Sequence, residues 1–514
     1  MELDQLFFGG EYEGKTFPCG VKVTGIENDG RRVSPGCLFF CHKGARFDSH
    51  ALLPSLAAAG CAAAVISSEY EGEPAGIPLI RVRDTRRAEA LAVSRFYGSP
   101  ADKLTVIGVT GTNGKTSVAT MIWHILNDAG IPSGMIGTTG YRGLPGHENE
   151  LDGFRTGVAA TMTTPPPETL YPLLSAMVDA GITHVVTEVS SQALSQARVA
   201  PVRFALSVFT NLSPEHLDYH GTMTDYLEAK KILFRQSETA VVNGDSPWTD
   251  LLLEGLACKK VTCGFLPGCD VRATDVAMNG CEGVSFFYRT AKGDFPVSVP
   301  IPGTFTVQNA LLALTAAKTL GVGVKSCIRS LAWVPTVPGR MERVDTDGFP
   351  FSVFIDYAHT EAALRSLLTS VRAIRRPGER IVVLFGCGGD RDPSKRCEMG
   401  KAASELADLS IVTSDNSRSE DPKKIIRSIL SGMGDASCRR VIVDREKAIR
   451  YAIENAKPGD ILLLVGKGHE KYEIRSDGVR EFDEKKIVLD ALEALRAGHT
   501  IGESEDADQN RNAD

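Results

Sequence analysis

Short apolar runs, many of them β-branched, alternate along this chain with stretches whose apolar positions recur every three or four residues. That is the pattern of strands alternating with helices, and it predicts an α/β fold with mostly parallel sheets. In the first hundred residues GCLFF, CAAAVIS and IPLIRV read as strands, with helices over LLPSLAAAG and around Arg86 to Tyr97. GSPADKL, residues 98–104, mixes Gly and Pro with polar residues and reads as a linker. TVIGV, residues 105–109, is of buried-strand type and is followed by a Gly-rich turn and the helical pattern SVATMIWHILNDAG. THVVTEV, FALSVFTNL and TAVVNGD continue the alternation, and QNALLALTAAKTLG is a helix closed by Gly321. Pro335 and Pro338 interrupt any regular element over residues 334–340. Beyond them five apolar runs each end in a polar loop: FSVFI before DYAH, IVVLF before GCGGDRD, LSIVT before SDNSR, VIV before DREK and ILLLV before GKGHE. Open α/β sheets bind ligands at the carboxyl ends of their strands, so these loops nominate a site.

Composition narrows the picture. A chain of 514 residues holds about three domains of ordinary size. With 43% hydrophobic and 24% charged residues it is neither disordered nor low in complexity. A formal net charge of -7 argues against a nucleic-acid binder held by phosphate neutralisation. Part of that charge sits in residues 501–514, five acids and one base, which read as a disordered tail. Twelve cysteines with no C-x-x-C pair favour reduced thiols in a cytoplasmic protein, and Cys258, Cys263 and Cys269 lack the tight spacing of a zinc site. The N-terminus MELDQLFFGGEYEG has no basic region ahead of an apolar core, and no apolar run approaches the roughly 20 residues of a membrane span. The expectation is a chain neither secreted nor inserted in a membrane.

The strongest chemical signal is TGTNGKTS, Thr110 to Ser117, between a buried strand and a helix. Small residues there let backbone N–H groups curl round a phosphate, Lys115 neutralises the outer phosphate oxygens, and Thr116 reaches Mg²⁺. The loop departs from standard P-loop spacing, since Val109 stands where that pattern has Gly. Glu188 ends a strand-like run and is either a helix cap or an oxygen ligand for a hard cation. His216 and His220, four apart, suit either zinc or a plain helix surface, and Lys230 with Lys231 reads as a solvated helix face.

TGTNGKTS, TEVSSQAL, NLSPEHLDYH, DYLEAKK, FTVQNALLAL, PGRMERV, DYAHT, GCGGDRD, SDNSRSEDP and GKGHE stand in one order along the chain, and in that order they resemble the Mur ligases, ATP-dependent amino-acid ligases of peptidoglycan precursor synthesis. The resemblance implies three domains: residues 1–101 for a UDP-sugar, 102–337 as a P-loop-type ATPase domain with a mostly parallel sheet, and 338–498 as a Rossmann-like domain for the incoming amino acid. It implies ATP contacts at Gly111, Thr112, Asn113, Gly114, Lys115, Thr116, Ser117, Asn309, Arg340, Asp356 and His359. Thr116, Glu188, His216 and, if carbamylated, Lys230 would hold Mg²⁺, and Lys115, Glu188, His216 and Lys230 form the catalytic set. Asn28, Gly30, Thr163, Thr164, Ser190, Gln196 and Arg198 match contacts to UDP-MurNAc-L-Ala-D-Glu, and the Ala45 to Phe47 loop is a weaker match. Arg391, Asp415, Asn416, Ser417, Arg418, Gly466 and Glu470 match the amino-acid pocket.

Asp415 to Arg418 resemble the DNPR motif of family members that add meso-diaminopimelate, with Arg418 suited to the distal carboxylate that lysine lacks. The sequence departs from the family at Ser417 for Pro, Glu215 for Asp, Glu361 for Pro and Gly30 for Ser. The implied reaction is amide ligation through an acyl phosphate by a monomeric enzyme, with hinges at residues 98–104 and 334–340. The alternatives are the same ligase with L-lysine or another diamine, and a non-catalytic nucleotide-binding scaffold of the same fold.

Overall fold

A computed structural model describes residues 1–13, 18, 20–44, 47–72, 76–143, 162–434 and 438–498. Ala45, Arg46 and the acidic tail lie outside the described residues. The chain divides into two compact units, one of residues 1–274, 287–296 and 308–331 and the other of residues 275–286, 297–307 and 332 onward.

Four parallel strands open the first unit: β1 (Gly25–Glu27), β2 (Cys37–Phe40), β3 (Ala63–Ser67) and β4 (Leu79–Val82), in the order β1-β2-β3-β4. Leu38, Phe40, Val65 and Ile80 face one side of the sheet, and Cys37, Phe39, Ala64 and Ile66 the other, so these short apolar runs are buried on both faces. A ten-stranded sheet follows: β5 (Thr105–Thr110), β6 (Ser133–Gly137), β7 (Gly140–Arg142), β8 (His184–Glu188), β9 (Phe204–Phe209), β10 (Ser237–Asn243), β11 (Lys259–Gly264), β12 (Val271–Met278), β13 (Val284–Thr290) and β14 (Gly293–Val299). Its order is β14-β13-β12-β11-β10-β9-β5-β8-β6-β7. β5 pairs in parallel with β8 and β9, which puts the carboxyl ends of the three central strands beside the loop that leaves β5. The expected loose linker is different in the structure: Pro100–Lys103 is a 3-10 turn, and Ala101 and Leu104 are buried in the same core as Val93 and Val106.

The second unit carries six strands, β15 (Glu342–Val344), β16 (Ser352–Asp356), β17 (Arg380–Phe385), β18 (Leu409–Val412), β19 (Arg439–Val441) and β20 (Asp460–Val465), in the order β15-β16-β20-β17-β18-β19. All neighbours are parallel except β15. β19 starts two residues before the expected VIV run. A small hairpin, β21 (Tyr472–Arg475) with β22 (Gly478–Glu481), precedes the last helix, Glu484–Arg496.

Candidate active site

Thr110 ends β5, and the next turn is the start of the helix Lys115–Asp128. Gly114 caps that helix at φ 84, a left-handed conformation that glycine adopts without strain. A β-carbon at Gly114 would stand 2.7 Å from Asn309 Oδ1, so the expected nucleotide residue Asn309 lies against the loop, and it is buried there rather than on a helix surface. The Asn113 backbone N–H donates to Asn211 Oδ1 at 2.9 Å, and the Thr112 hydroxyl lies 3.3 Å from the Tyr226 hydroxyl. Ser117 follows in the first helical turn, partly exposed.

Two cations meet at one carbonyl of this loop. Lys115 Nζ donates to the Gly111 and Thr112 carbonyls at 2.9 and 2.8 Å, and Lys230 Nζ donates to the same Gly111 carbonyl at 3.1 Å. Lys230 is only 1% exposed, so its helix, Met223–Arg235, presents a buried face where the sequence pattern suggested a solvated one. Burial, and then the charge of Lys115, push the Lys230 ammonium well below the usual lysine range. Tyr226 gathers two more groups, with Lys230 Nζ 4.5 Å above its ring and the His216 ring edge-on at 6.2 Å. His216 is exposed and left-handed at φ 57, directly ahead of the short helix Leu217–His220. His220 is 2.8 Å from the Ser191 hydroxyl, and no group of three or more His, Cys, Asp or Glu side chains with metal-binding geometry occurs among the described residues.

Glu188, wholly buried at the end of β8, is not a helix cap. Its Oε2 accepts from the Thr116 hydroxyl at 3.0 Å and the Thr138 hydroxyl at 3.1 Å, and its Oε1 accepts from the Thr138 backbone N–H at 2.9 Å. Thr138 was missed in the sequence, since a threonine after a short strand carries no distinguishing pattern. It links the phosphate loop to the expected sugar-peptide residues, its hydroxyl oxygen lying 3.1 Å from the Thr163 hydroxyl, which is free to donate to it. Thr164 donates to the Glu188 carbonyl at 2.9 Å and accepts from the Ser190 backbone N–H at 3.0 Å. Arg198 donates to the Thr164 carbonyl at 2.6 Å and, through Nε and Nη2, to Gln196 Oε1 at 3.2 and 2.7 Å. Thr163, Thr164, Ser190, Gln196 and Arg198 thus form one connected group. Asn28 and Gly30 are elsewhere in the unit and line a cavity of about 500 Å³ with Phe47, Ser49 and Leu52. Asn28 donates to the buried Glu89 at 2.7 Å.

In the second unit the expected residues collect at the carboxyl ends of β16, β17, β18 and β20. Arg340 stacks over the Tyr357 ring at 4.7 Å. Asp356 accepts from the Met341 and Ala358 backbone N–H groups, and burial pushes its carboxyl up against the opposing pull of Arg340. His359 Nδ1 lies 3.0 Å from the Tyr357 carbonyl. Asn416 donates to Glu470 Oε2 at 2.8 Å and accepts from Lys467 Nζ at 3.0 Å and the Ile474 backbone N–H at 2.9 Å. Burial works to raise the Asp415 carboxyl, but Arg445 and Lys467 overrule it and hold it below the usual range. A β-carbon on Gly466 would lie 2.8 Å from Asp415 Oδ2. Arg418, at φ 51, donates to the Gly389 carbonyl at 2.7 Å, and Arg391 is exposed beside the same glycine loop. Ser417 is buried. Lys467 and Arg445, both wholly buried, were also missed; the first is inside GKGHE, but a buried arginine after DREK's strand has no sequence signature.

The sheet orders and the loop after β5 define a class: three-domain α/β proteins in which a P-loop-type nucleotide domain is followed by a Rossmann-like domain. Three family models cover the chain, Mur ligase family, catalytic domain at residues 22–97, Mur ligase middle domain at 109–317, and Mur ligase, glutamate ligase domain at 339–468. The chain belongs to the Mur ligase family, and it has that family's three-domain fold. It is 40% identical over 480 residues to the UDP-N-acetylmuramoyl-L-alanyl-D-glutamate--2,6-diaminopimelate ligase of Geobacillus kaustophilus, covering 91% of this chain and 95% of the relative. It is 39% identical over 500 residues to the protein of the same name from Gloeobacter violaceus, covering 97% and 99%. Among solved structures, one of a UDP-N-acetylmuramoyl-L-alanyl-D-glutamate--2,6-diaminopimelate ligase matches with a TM-score of 0.69 at 28% identity over 96% of this chain and 99% of that one. The MurF ligase of Thermotoga maritima in complex with ADP shares the fold, with a TM-score of 0.57 at 17% identity over 93% and 99%.

Proposed function

We propose that this protein is an ATP-dependent ligase that joins meso-diaminopimelate to the D-Glu γ-carboxylate of UDP-MurNAc-L-Ala-D-Glu in peptidoglycan precursor synthesis. The observation that carries the reading is the unbroken chain of contacts from Thr116, next to Lys115 in the phosphate loop, through Glu188 and Thr138 to Thr163, Thr164 and Arg198, which adjoins that loop to a polar substrate surface. The relatives' printed names support the substrates, and the bound nucleotide of the Thermotoga maritima neighbour supports ATP as co-substrate. Asn28, Gly30 and the cavity about them are assigned to the uridine end, and Arg391, Asp415, Asn416, Ser417, Arg418, Gly466 and Glu470 to the amino acid. Asn309, Arg340, Asp356 and His359 are assigned to the nucleotide. The matched segments support domains at residues 1–101, 102–337 and 338–498.

In the first step a γ-carboxylate oxygen of D-Glu attacks the γ-phosphorus of ATP, and ADP leaves. Lys115, whose ammonium already faces the loop carbonyls, disperses charge on the transferring phosphoryl group. The product is an acyl phosphate. In the second step an uncharged amino group of diaminopimelate adds to the acyl carbon, the tetrahedral intermediate collapses, and inorganic phosphate departs with the original carboxylate oxygen. Ionised Asp415 and the guanidinium groups of Arg391 and Arg418 suit a substrate that carries both ammonium and carboxylate ends.

The Thr116 hydroxyl and the buried Glu188 carboxylate are hard oxygen donors 3.0 Å apart and fit Mg²⁺, while His216 lies against the Tyr226 ring, whose hydroxyl is 3.3 Å from that of Thr112 in the phosphate loop. Lys230 fits only as a carbamate, which would relieve two cations sharing one carbonyl and replace an ammonium with an oxygen donor. Bound there, Mg²⁺ would neutralise phosphate charge. We assign the work to a monomer in the cytoplasm, where ATP and uridine nucleotides are made; among the described residues no helix is long and apolar enough to cross a membrane.

Phosphate release by purified protein tests the reading. Release should require ATP, UDP-MurNAc-L-Ala-D-Glu and meso-diaminopimelate together. Equal or greater release with L-lysine would overturn the choice of amino acid, and no release with any amino acid would overturn the enzyme itself in favour of a scaffold.

A further inference from the structure

Arg445 is the first residue of the helix Arg445–Glu454, and its side chain is wholly buried. Its three donor positions go to three different segments: Nε to Glu484 Oε1 at 2.7 Å, Nη1 to the Ser414 carbonyl at 3.1 Å, and Nη2 to the Val465 carbonyl at 2.8 Å. Ser414 immediately precedes Asp415 to Arg418, and Val465 immediately precedes Gly466 to Glu470. The strands that deliver these loops, β18 and β20, are not neighbours, because β17 lies between them. Arg445 therefore spans the carboxyl end of β17 and ties together two loops that the sheet itself leaves unlinked.

Only a planar guanidinium can do this, since it offers fixed donors on several sides and keeps its charge when buried. A buried ion pair is weak support for stability, because desolvation offsets most of the attraction, so the Glu484 contact does not explain an arginine here. The two carbonyl contacts do, since they set the distance between the loops. Lys467 links the same two loops directly, donating to Asn416 Oδ1 at 3.0 Å and to the Tyr472 carbonyl at 2.8 Å.

We propose that Arg445 is a positioning residue for the incoming amino acid, fixing the Asp415–Arg418 loop against the Gly466–Glu470 loop through the Ser414 and Val465 carbonyls. The proposal rests on the ligase reading above. It makes Arg445 specific to one of three substrates. Its loss loosens the pocket for the amino acid and leaves untouched the phosphate and sugar-peptide groups of the first unit and the second unit's nucleotide residues Arg340, Asp356 and His359, since its hydrogen bonds go to Glu484, Ser414 and Val465.

The test is steady-state kinetics of full-length wild type, Arg445→Lys, Arg445→Gln and Glu484→Gln, with KM measured for each substrate and thermal melting recorded for each variant. Wild type that turns over no amino acid would sink the ligase reading before any variant is compared. Arg445→Lys and Arg445→Gln, each unable to reach both carbonyls, should raise the amino-acid KM roughly tenfold or more, the order expected for a lost charge-assisted hydrogen bond. The KM for ATP and for the UDP-sugar peptide should stay within about twofold of wild type, a split that mere loss of folded protein does not produce. Glu484→Gln keeps both carbonyl contacts and should melt earlier with its amino-acid KM within about twofold. Three KM values rising together, a fall in kcat alone, or Glu484→Gln matching the arginine variants in KM would overturn the proposal. So would failure of both arginine variants to fold, which would make Arg445 structural.

Discussion

His469 shows how one residue's surroundings set its chemistry. Burial, aided by the charge of Arg340, pushes its imidazole down to about 4. It is therefore neutral in the folded protein at any pH where the enzyme would work. An unfolded chain protonates the same side chain near pH 6.5. Its contribution to stability is complete above that pH and is lost as pH falls from about 6.5 towards 4, by up to about 3 kcal/mol. His469→Gln should flatten that part of the curve. Urea denaturation at pH 7 and pH 4.5 measures it: the loss on acidification should be smaller in the variant, and an equal loss would contradict the assignment. Lys230 is the residue where the sequence pattern misled most. Two adjacent lysines on a helix normally face water, and nothing in DYLEAKKILF shows that the Gly111 carbonyl lies within reach of one of them. Only the family motif singled it out.

Loops, more than strands, carry the site. The GCGGDRD and SDNSR loops pack so closely that a β-carbon on Gly389 would lie 1.9 Å from the Ser417 carbonyl oxygen, while the Gly389 backbone N–H donates to the Asn416 carbonyl at 2.9 Å. Gly389→Ala should destabilise the protein by about 1–3 kcal/mol, the usual cost of overpacking. It should also raise the amino-acid KM while leaving the KM for ATP near wild type. Urea midpoints and initial rates check both, and an unchanged midpoint would show that the loops part without cost. Buried strands such as TVIGV and ILLLV were legible because parallel strands covered on both faces are apolar throughout. β11 to β14 were not, since charged and exposed positions interrupt runs such as VRATDVAM. The Arg445 tie was illegible for a different reason: it joins residues 414, 445, 465 and 484, whose proximity exists only after the sheet forms.

At the scale of the whole molecule, length anticipated about three domains, and the described residues form sheets of four, ten and six strands besides the two-stranded β21–β22 hairpin. The division at residues 98–104 was read too literally. Gly and Pro mark a turn there, yet Ala101 and Leu104 are core residues, so composition identified the bend and missed its burial. Charge balance carried little information about function, because the groups that would face phosphates and carboxylates, among them Lys115, Arg198 and Arg418, are a few local cations in an acidic chain. In the proposed reaction, amide formation passes through an acyl phosphate made from the D-Glu γ-carboxylate. Substrate with that carboxylate labelled in ¹⁸O tests it most directly, by mass analysis of the phosphate released when diaminopimelate is joined. Each phosphate released per amide formed should carry one labelled oxygen; unlabelled phosphate alongside normal ligation would rule the acyl phosphate out.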